Sequence, residues 1–169
     1  MKTTEVLVDA YGHIQRLLHS AVEGLTPEQL AHRVDSDANS IGWLAWHLTR
    51  IQDDHVGVVA GLERVWTSQG FRDRFALPFE ETATGYGHSS DDVAQLAGRE
   101  GALLLEYYDA VHRQTVEFLS GLNDSGLDRV VDERWDPPVT LGVRLVSVLS
   151  DNLQHAGQVA YLKGVIERA

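Results

Sequence analysis

The sequence predicts an all-α protein, a four-helix bundle with one long connection between its second and third helices. Three observations carry this reading. Four long segments repeat their apolar residues at helical spacing, no run of strand alternation competes with them, and residues 62–88 follow neither pattern.

The first helix covers about residues 3–24, with Val6, Ala10, His13, Leu17 and Ala21 along one face and Gly24 at its end. Thr26-Pro27-Glu28-Gln29 reads as a short helical turn, with Thr26 as cap and Pro27 at the first helical position, where a missing N–H is harmless. Asn39 or Ser40 caps the second helix, about 40–61. Its inward stripe includes Leu44, His47, Leu48, Ile51 and Val58, and Gly61 closes it. The segment from Leu62 to His88 holds Trp66, Phe71, Phe75, Pro78, Phe79 and Tyr86. A connection that long usually crosses a bundle or covers a site. Ser89 and Asp92 have capping-box spacing, so the third helix starts at Ser89 or Ser90 and runs to about Leu122. Its core face uses Val93, Leu96, Leu103, Leu104, Tyr107, Val111, Phe118 and Leu122. A polar link with Trp135-Asp136-Pro137-Pro138 leads into the fourth helix, about 140–168, with Leu141, Leu145, Val148, Val159, Leu162 and Ile166 inward.

The length of 169 residues fits one domain, 1–169, with a substantial core. A net charge of −11 and a pI near 5.0 argue against nucleic-acid and anionic-membrane partners, which attract Lys and Arg patches. A small-molecule ligand fits better. The chain has no apolar run long enough to span a bilayer, and its first residues lack the pattern of a signal peptide, so the cytoplasm is the expected location. It has no cysteine, which excludes disulfides, protein thiolate ligands and a protein thiol nucleophile. Any soft nucleophile comes from outside. Twelve Arg against two Lys, with abundant Ala, Gly, Val, Asp and Leu, suggest a GC-rich bacterial genome.

The chemistry concentrates in Ser150-Asp151-Asn152-Leu153-Gln154-His155-Ala156-Gly157-Gln158. Asp151 and His155 are four residues apart and so share a helix face, within an otherwise apolar stripe. An unpaired carboxylate there is costly unless a partner neutralises it. His47 lies among Leu44, Leu48 and Ile51 and also points into the bundle. Two imidazoles and a carboxylate suit zinc, nickel or ferrous iron with positions left open, as in a catalytic site. The competing structural reading pairs Asp151 with His47 or with an Arg and needs no metal.

Among the other histidines, His19 and His32 read as surface or turn residues, and His112 as solvated on a polar side of the third helix. His55 reads as a residue beside the site or at the surface. His13 lies on the inward stripe and either lines the site or serves the core, while His88 belongs to a loop near the site or to the start of the third helix. Two catalytic alternatives drop out. A di-iron carboxylate bundle needs paired Glu-x-x-His repeats, and a serine hydrolase needs a Gly-x-Ser-x-Gly turn; the chain has neither.

Trp43-Leu44-Ala45-Trp46-His47-Leu48, Tyr86-Gly87-His88, and Trp135-Asp136-Pro137-Pro138 leading into Asp151-x-x-x-His155-Ala156-Gly157-Gln158 together resemble the DinB-like bundles. Within them they are similar to the metal-binding domain of mycothiol-dependent maleylpyruvate isomerases and related thiol transferases. The resemblance spans nearly the whole chain, and the final His-x-Gly-Gln is its most specific element. It implies that His47, Asp151 and His155 bind a divalent metal, zinc or nickel in first place. Asp151 stands where many members have His, which points to the isomerase-like branch and toward harder ions. The resemblance also implies an external thiol, mycothiol or a similar molecule such as bacillithiol, as cosubstrate against a small electrophile, and a homodimer. Gln158 and Asn152 are then expected to orient a ligand or to touch substrate.

Three functions follow as expectations. The first is a metal-dependent thiol S-transferase or isomerase with the catalytic residues beyond the metal ligands unassigned. The second is a metal- or small-ligand-binding stress-response bundle without turnover. The third is a vestigial site in which Asp151 and His155 merely pair.

Overall fold

The computed structural model describes residues 2–168; Met1 and Ala169, the ends of the expected 1–169 domain, lie outside the described residues. Four long helices form the body: α1 (Thr3–Val22), α3 (Ile41–Ala60), α7 (Gly101–Ser120) and α8 (Leu141–Ile166). Short helices fill the connections, namely α2 (Pro27–Ala31), α4 (Val65–Ser68), α5 (Phe71–Phe75) and α6 (Ser90–Ala94). The starts are set by side-chain caps: Thr26, Ser40, Ser89 and Thr140 each accept a hydrogen bond from a backbone N–H of the first turn. Gly61 ends α3 in the left-handed conformation, with φ of 68°.

Side-chain bonds give the helix directions. Gln52 meets Thr115 and Arg50 meets Tyr107, so α3 and α7 run parallel. Tyr11 donates to the Leu145 carbonyl and Lys163 to that of Ser20, so α1 and α8 run parallel too. His47 faces Asp151 and His155 while Val59 and Arg144 flank one cleft, so α3 and α8 are antiparallel. One core joins all four, with Tyr11, Ile14, Leu18, Trp46, Leu48, Tyr107, Leu145 and Val159 fully buried.

The parallel pair forces the connection from Gly61 to Gly101 to travel the length of the bundle, and it climbs along α3. Asp53 takes its first turn by accepting from the N–H groups of Val65 and Trp66, both at 2.8 Å. Arg50 takes its far end, donating to the carbonyls of Ala83 at 3.0 Å and Glu81 at 3.2 Å. Both side chains are completely buried and paired at 3.4 Å, with Tyr107 Oη donating to Asp53 at 2.7 Å and the guanidinium 5.1 Å over the Trp66 ring.

Several elements differ from the sequence reading. The inward stripe of α1 is turned by one residue over most of its length: Leu7, Tyr11, Ile14 and Leu18 are buried along with the expected Ala21, whereas Val6 and Leu17 are 50% and 36% exposed. The larger surfaces of Tyr11 and Ile14 decide which of two adjacent apolar rows faces in. Val58 on α3 is exposed because it opens onto a surface cleft. The expected third helix is two helices, broken where Gly98 takes φ of 76° and Arg99 reaches back to the Phe75 carbonyl at 2.8 Å. The polar link holds a 3-10 turn (Asp124–Asp128) and a small antiparallel pair, β1 (Val130–Asp132) and β2 (Val139–Thr140). His112, expected to be solvated, is half-buried against Tyr108 with Nδ1 unpartnered among the described residues, whereas His19 is partly exposed, as expected, and tied to Asp109 at 2.9 Å.

Replacing Asp53 with alanine leaves Arg50 buried without its countercharge and frees the first turn of the connection. A loss of about 3–5 kcal/mol is expected. Equilibrium urea denaturation monitored by tryptophan fluorescence measures it.

Candidate metal centre

His47, Asp151 and His155 come together between α3 and α8, each offering an atom within 4.8 Å of the others. The spacing of Asp151 and His155 by one helical turn stacks them on one face of α8, and the antiparallel α3 brings His47 across. The imidazoles of His47 and His155 meet edge to face with ring centroids 4.8 Å apart.

Each imidazole has one nitrogen already committed. His47 Nδ1 lies 2.6 Å from the Thr84 carbonyl, which can only accept, so Nδ1 carries the proton and Nε2 keeps its lone pair for the cluster. His155 Nδ1 lies 3.0 Å from Gln158 Oε1, which leaves its Nε2 beside Asp151 Oδ1 at 3.5 Å. Hydrogen bonds of this kind fix the tautomer and orientation of metal-binding histidines. Asp151 Oδ2 is buried and has no hydrogen-bond partner among the described residues. An orphaned carboxylate oxygen beside two imidazole lone pairs is a set of donors that a divalent cation satisfies and that the protein alone does not.

The three groups titrate differently. Burial pushes the His47 imidazole below its ordinary pKa, partly offset by the Thr84 carbonyl. The hydrogen bond to Asp151 raises that of His155 against its burial. Burial favours the neutral Asp151 carboxyl, but the hydrogen bond with His155 and the neighbouring imidazole charges outweigh it and hold the group below the usual carboxylate range. Of the two imidazoles, His155 is therefore the one whose surroundings favour the proton.

The long connection closes one side. Trp43 stacks on His47 at 4.6 Å and donates its indole N–H to His88 Nδ1 at 3.2 Å, while His88 stacks on Trp46 and touches Phe79. Gly85 passes so close that a Cβ there would stand 2.7 Å from His47 Nδ1, and its φ of 99° disfavours any side chain.

The other expected site residues divide. Gln158 holds His155 directly, and His88 is joined to the site through Trp43. His13 does not line it: the side chain is exposed and pairs with Asp9 at 3.4 Å, a consequence of the turned α1 stripe. Asn152 faces the core rather than the cluster. It is completely buried and donates to Gln52 at 2.7 Å, and Gln52 donates to Thr115, an amide chain linking α8, α3 and α7. Thr84, Gly85, Arg50 and Asp53 were missed by the sequence reading. Charged residues at 50 and 53 inside an apolar helix, and two glycines around Tyr86, were the available signals.

Fold and site together define a DinB-like helical bundle with a candidate two-histidine, one-carboxylate centre between its antiparallel helices. The chain belongs to the mycothiol-S-transferase family, whose sequence model matches residues 7–167. It is similar to a crystal structure of a conserved protein of locus from Enterococcus faecalis, with 26% identity over 100% of this chain and 99% of that chain and a TM-score of 0.92. Among curated proteins none matches significantly.

Binding of a divalent ion requires His155 to give up its proton, so affinity rises as pH increases through the raised pKa of His155 and levels off above it. Titration calorimetry in buffers of different ionisation heat checks this, with proton release largest below that pKa. Gln158→Ala removes the group that orients His155 and is expected to weaken metal binding by about 10–100-fold while leaving the fold intact.

Proposed function

We propose that this protein is a divalent-metal-dependent thiol S-transferase that joins mycothiol to a small electrophile. The observation that carries the reading is the convergence of two imidazole Nε2 atoms and an unpartnered Asp151 oxygen in a member of a mycothiol-S-transferase family that has no cysteine of its own. Zinc and nickel both suit two nitrogens and a carboxylate oxygen. Bound there, such an ion would lower the pKa of an incoming thiol and present it as thiolate at neutral pH.

The chain's own residues supply the rest. His47, Asp151 and His155 would hold the ion, and the partial exposure of Asp151 and His155 beside the buried His47 leaves the cluster approachable from their side. Thr84 and Gln158 keep both imidazoles in the tautomer that offers Nε2. Trp43, Trp46, Phe79 and His88 pack a dry wall behind His47, which strengthens the electrostatics of the cluster. His88 has its Nδ1 occupied by Trp43, and burial keeps the ring largely neutral, so its Nε2–H is a donor on the wall of the site.

Wild-type protein is expected to carry about one divalent ion per chain and, when given mycothiol and an alkylating electrophile such as monochlorobimane, to form the thioether. His155→Ala is expected to lose both the ion and product formation. Elemental analysis and chromatography of the product read the two quantities separately; ion without product marks a binding protein, and equal ion content in both proteins contradicts the site.

A further inference from the structure

A cleft of about 460 Å³ opens on the α3–α8 face, between those helices and the β1–β2 pair. Its polar walls are Asp54, His55, Asp132, Glu133, Arg134 and Arg144. Eight residues of α3 separate His55 from His47 and seven of α8 separate Arg144 from Asp151, so the cleft lies about 10–12 Å along these helices from the metal cluster. His55 is close enough for the charge of Asp151 to act on it.

The walls are charge-balanced. Asp132 is gripped by Arg134 at 2.8 Å and by Arg144 at 3.1 Å, and Asp54 is paired with Arg64. Such a cleft selects neither an anion nor a cation. It nevertheless presents fixed hydrogen-bonding groups with unused capacity. The two guanidinia have further N–H groups beyond those given to Asp132, and Glu133 makes no ion pair among the described residues. His55 is half-buried and hydrogen-bonds to no described residue, and burial lowers its pKa, so its neutral ring offers one donor and one acceptor. Interleaved donors and acceptors without net charge match hydroxyl groups, each of which donates and accepts.

On the other side of the metal cluster along α3 and α8 lies a smaller cleft of about 220 Å³, with Leu44, Tyr161 and Leu162 beside Gln158. This second cleft has no charged residue in its lining. A cleft of about 420 Å³ at Lys2, Glu5 and Leu122 lies between α1 and the end of α7, with no lining residue from α3 or α8.

We infer that the His55–Arg144 cleft binds the hydroxyl-rich, uncharged part of the thiol cosubstrate, leaving the Tyr161 side for the electrophile. The inference rests on the thiol-transferase reading above. Mycothiol is an acylated cysteine joined through an amide to an amino-sugar–inositol unit; with its sulfur at the metal cluster, an amide and one sugar ring bridge the distance to the cleft. His55 and Glu133 then hold hydroxyls, and the Asp132-pinned guanidinium of Arg144 donates to them.

The test is calorimetric titration of zinc-loaded wild type, His55→Leu and Glu133→Ala with mycothiol and, separately, with N-acetylcysteinamide, which keeps the thiol and amide but lacks the sugars. Wild type is expected to prefer mycothiol. Each variant is expected to weaken mycothiol by about tenfold, the loss of a hydrogen bond or two, with N-acetylcysteinamide affinity and zinc content unchanged. Glu133 is exposed, so its variant does not depend on tolerance of a core change. Mycothiol affinity unchanged in both variants, or an equal loss for both thiols, overturns the inference. Wild type binding the two thiols equally overturns the cleft assignment alone, whereas wild type binding neither overturns the thiol-transferase reading and this inference with it.

Discussion

The buried Arg50–Asp53 pair is the constraint on which the candidate site depends. Parallel α3 and α7 require a connection that travels the length of the bundle, and such a segment has no periodic face with which to hold itself. Asp53 binds its first turn and Arg50 binds the backbone at Glu81 and Ala83. The next residue is Thr84, whose carbonyl sets the tautomer of His47, and Gly85 then closes over the imidazole. Two charges out of water are worthwhile only when fully hydrogen-bonded. Here Tyr107, two amide N–H groups and two carbonyls complete the pair, so the cost of burial is offset by order imposed on the wall of the site.

That order makes the two histidines unequal. His47 is buried, held by a main-chain carbonyl, and burial disfavours its protonation; His155 is half-buried, held by the Gln158 side chain, and Asp151 favours its protonation. Asp151 faces both imidazoles, sharing Oδ1 with His155 while Oδ2 has no partner among the described residues. Along α3 and α8, a cleft lined by paired charges lies on one side of this cluster and a cleft without charged lining residues on the other, a division suited to two dissimilar small molecules.

The helical outline and the three clustered residues were legible in the sequence because both are periodic. An i,i+4 pair on an amphipathic helix and a histidine in an apolar row state their own direction. His13 failed for a related reason: α1 carries two adjacent apolar rows, and only the bulk of Tyr11 and Ile14 breaks the tie. Asn152 neighbours Asp151 in sequence, yet one residue further along a helix is a turn of about 100° and faces the core amide chain instead. What the connection does was hidden, because it works through main-chain carbonyls of Glu81, Ala83 and Thr84, and a carbonyl has no residue signature. The break at Gly98 and the β1–β2 pair are short features set by local φ values and a single ion-paired Asp132.

The most direct test of the account is the coordination shell of the zinc-loaded protein, read by X-ray absorption before and after mycothiol is added. The chain has no cysteine, so a thiolate sulfur at the ion must come from the added thiol. The account predicts a shell of nitrogen and oxygen at about 2.0–2.2 Å in the protein alone and one added sulfur at about 2.3 Å with mycothiol. A shell that stays free of sulfur at saturating mycothiol would contradict it.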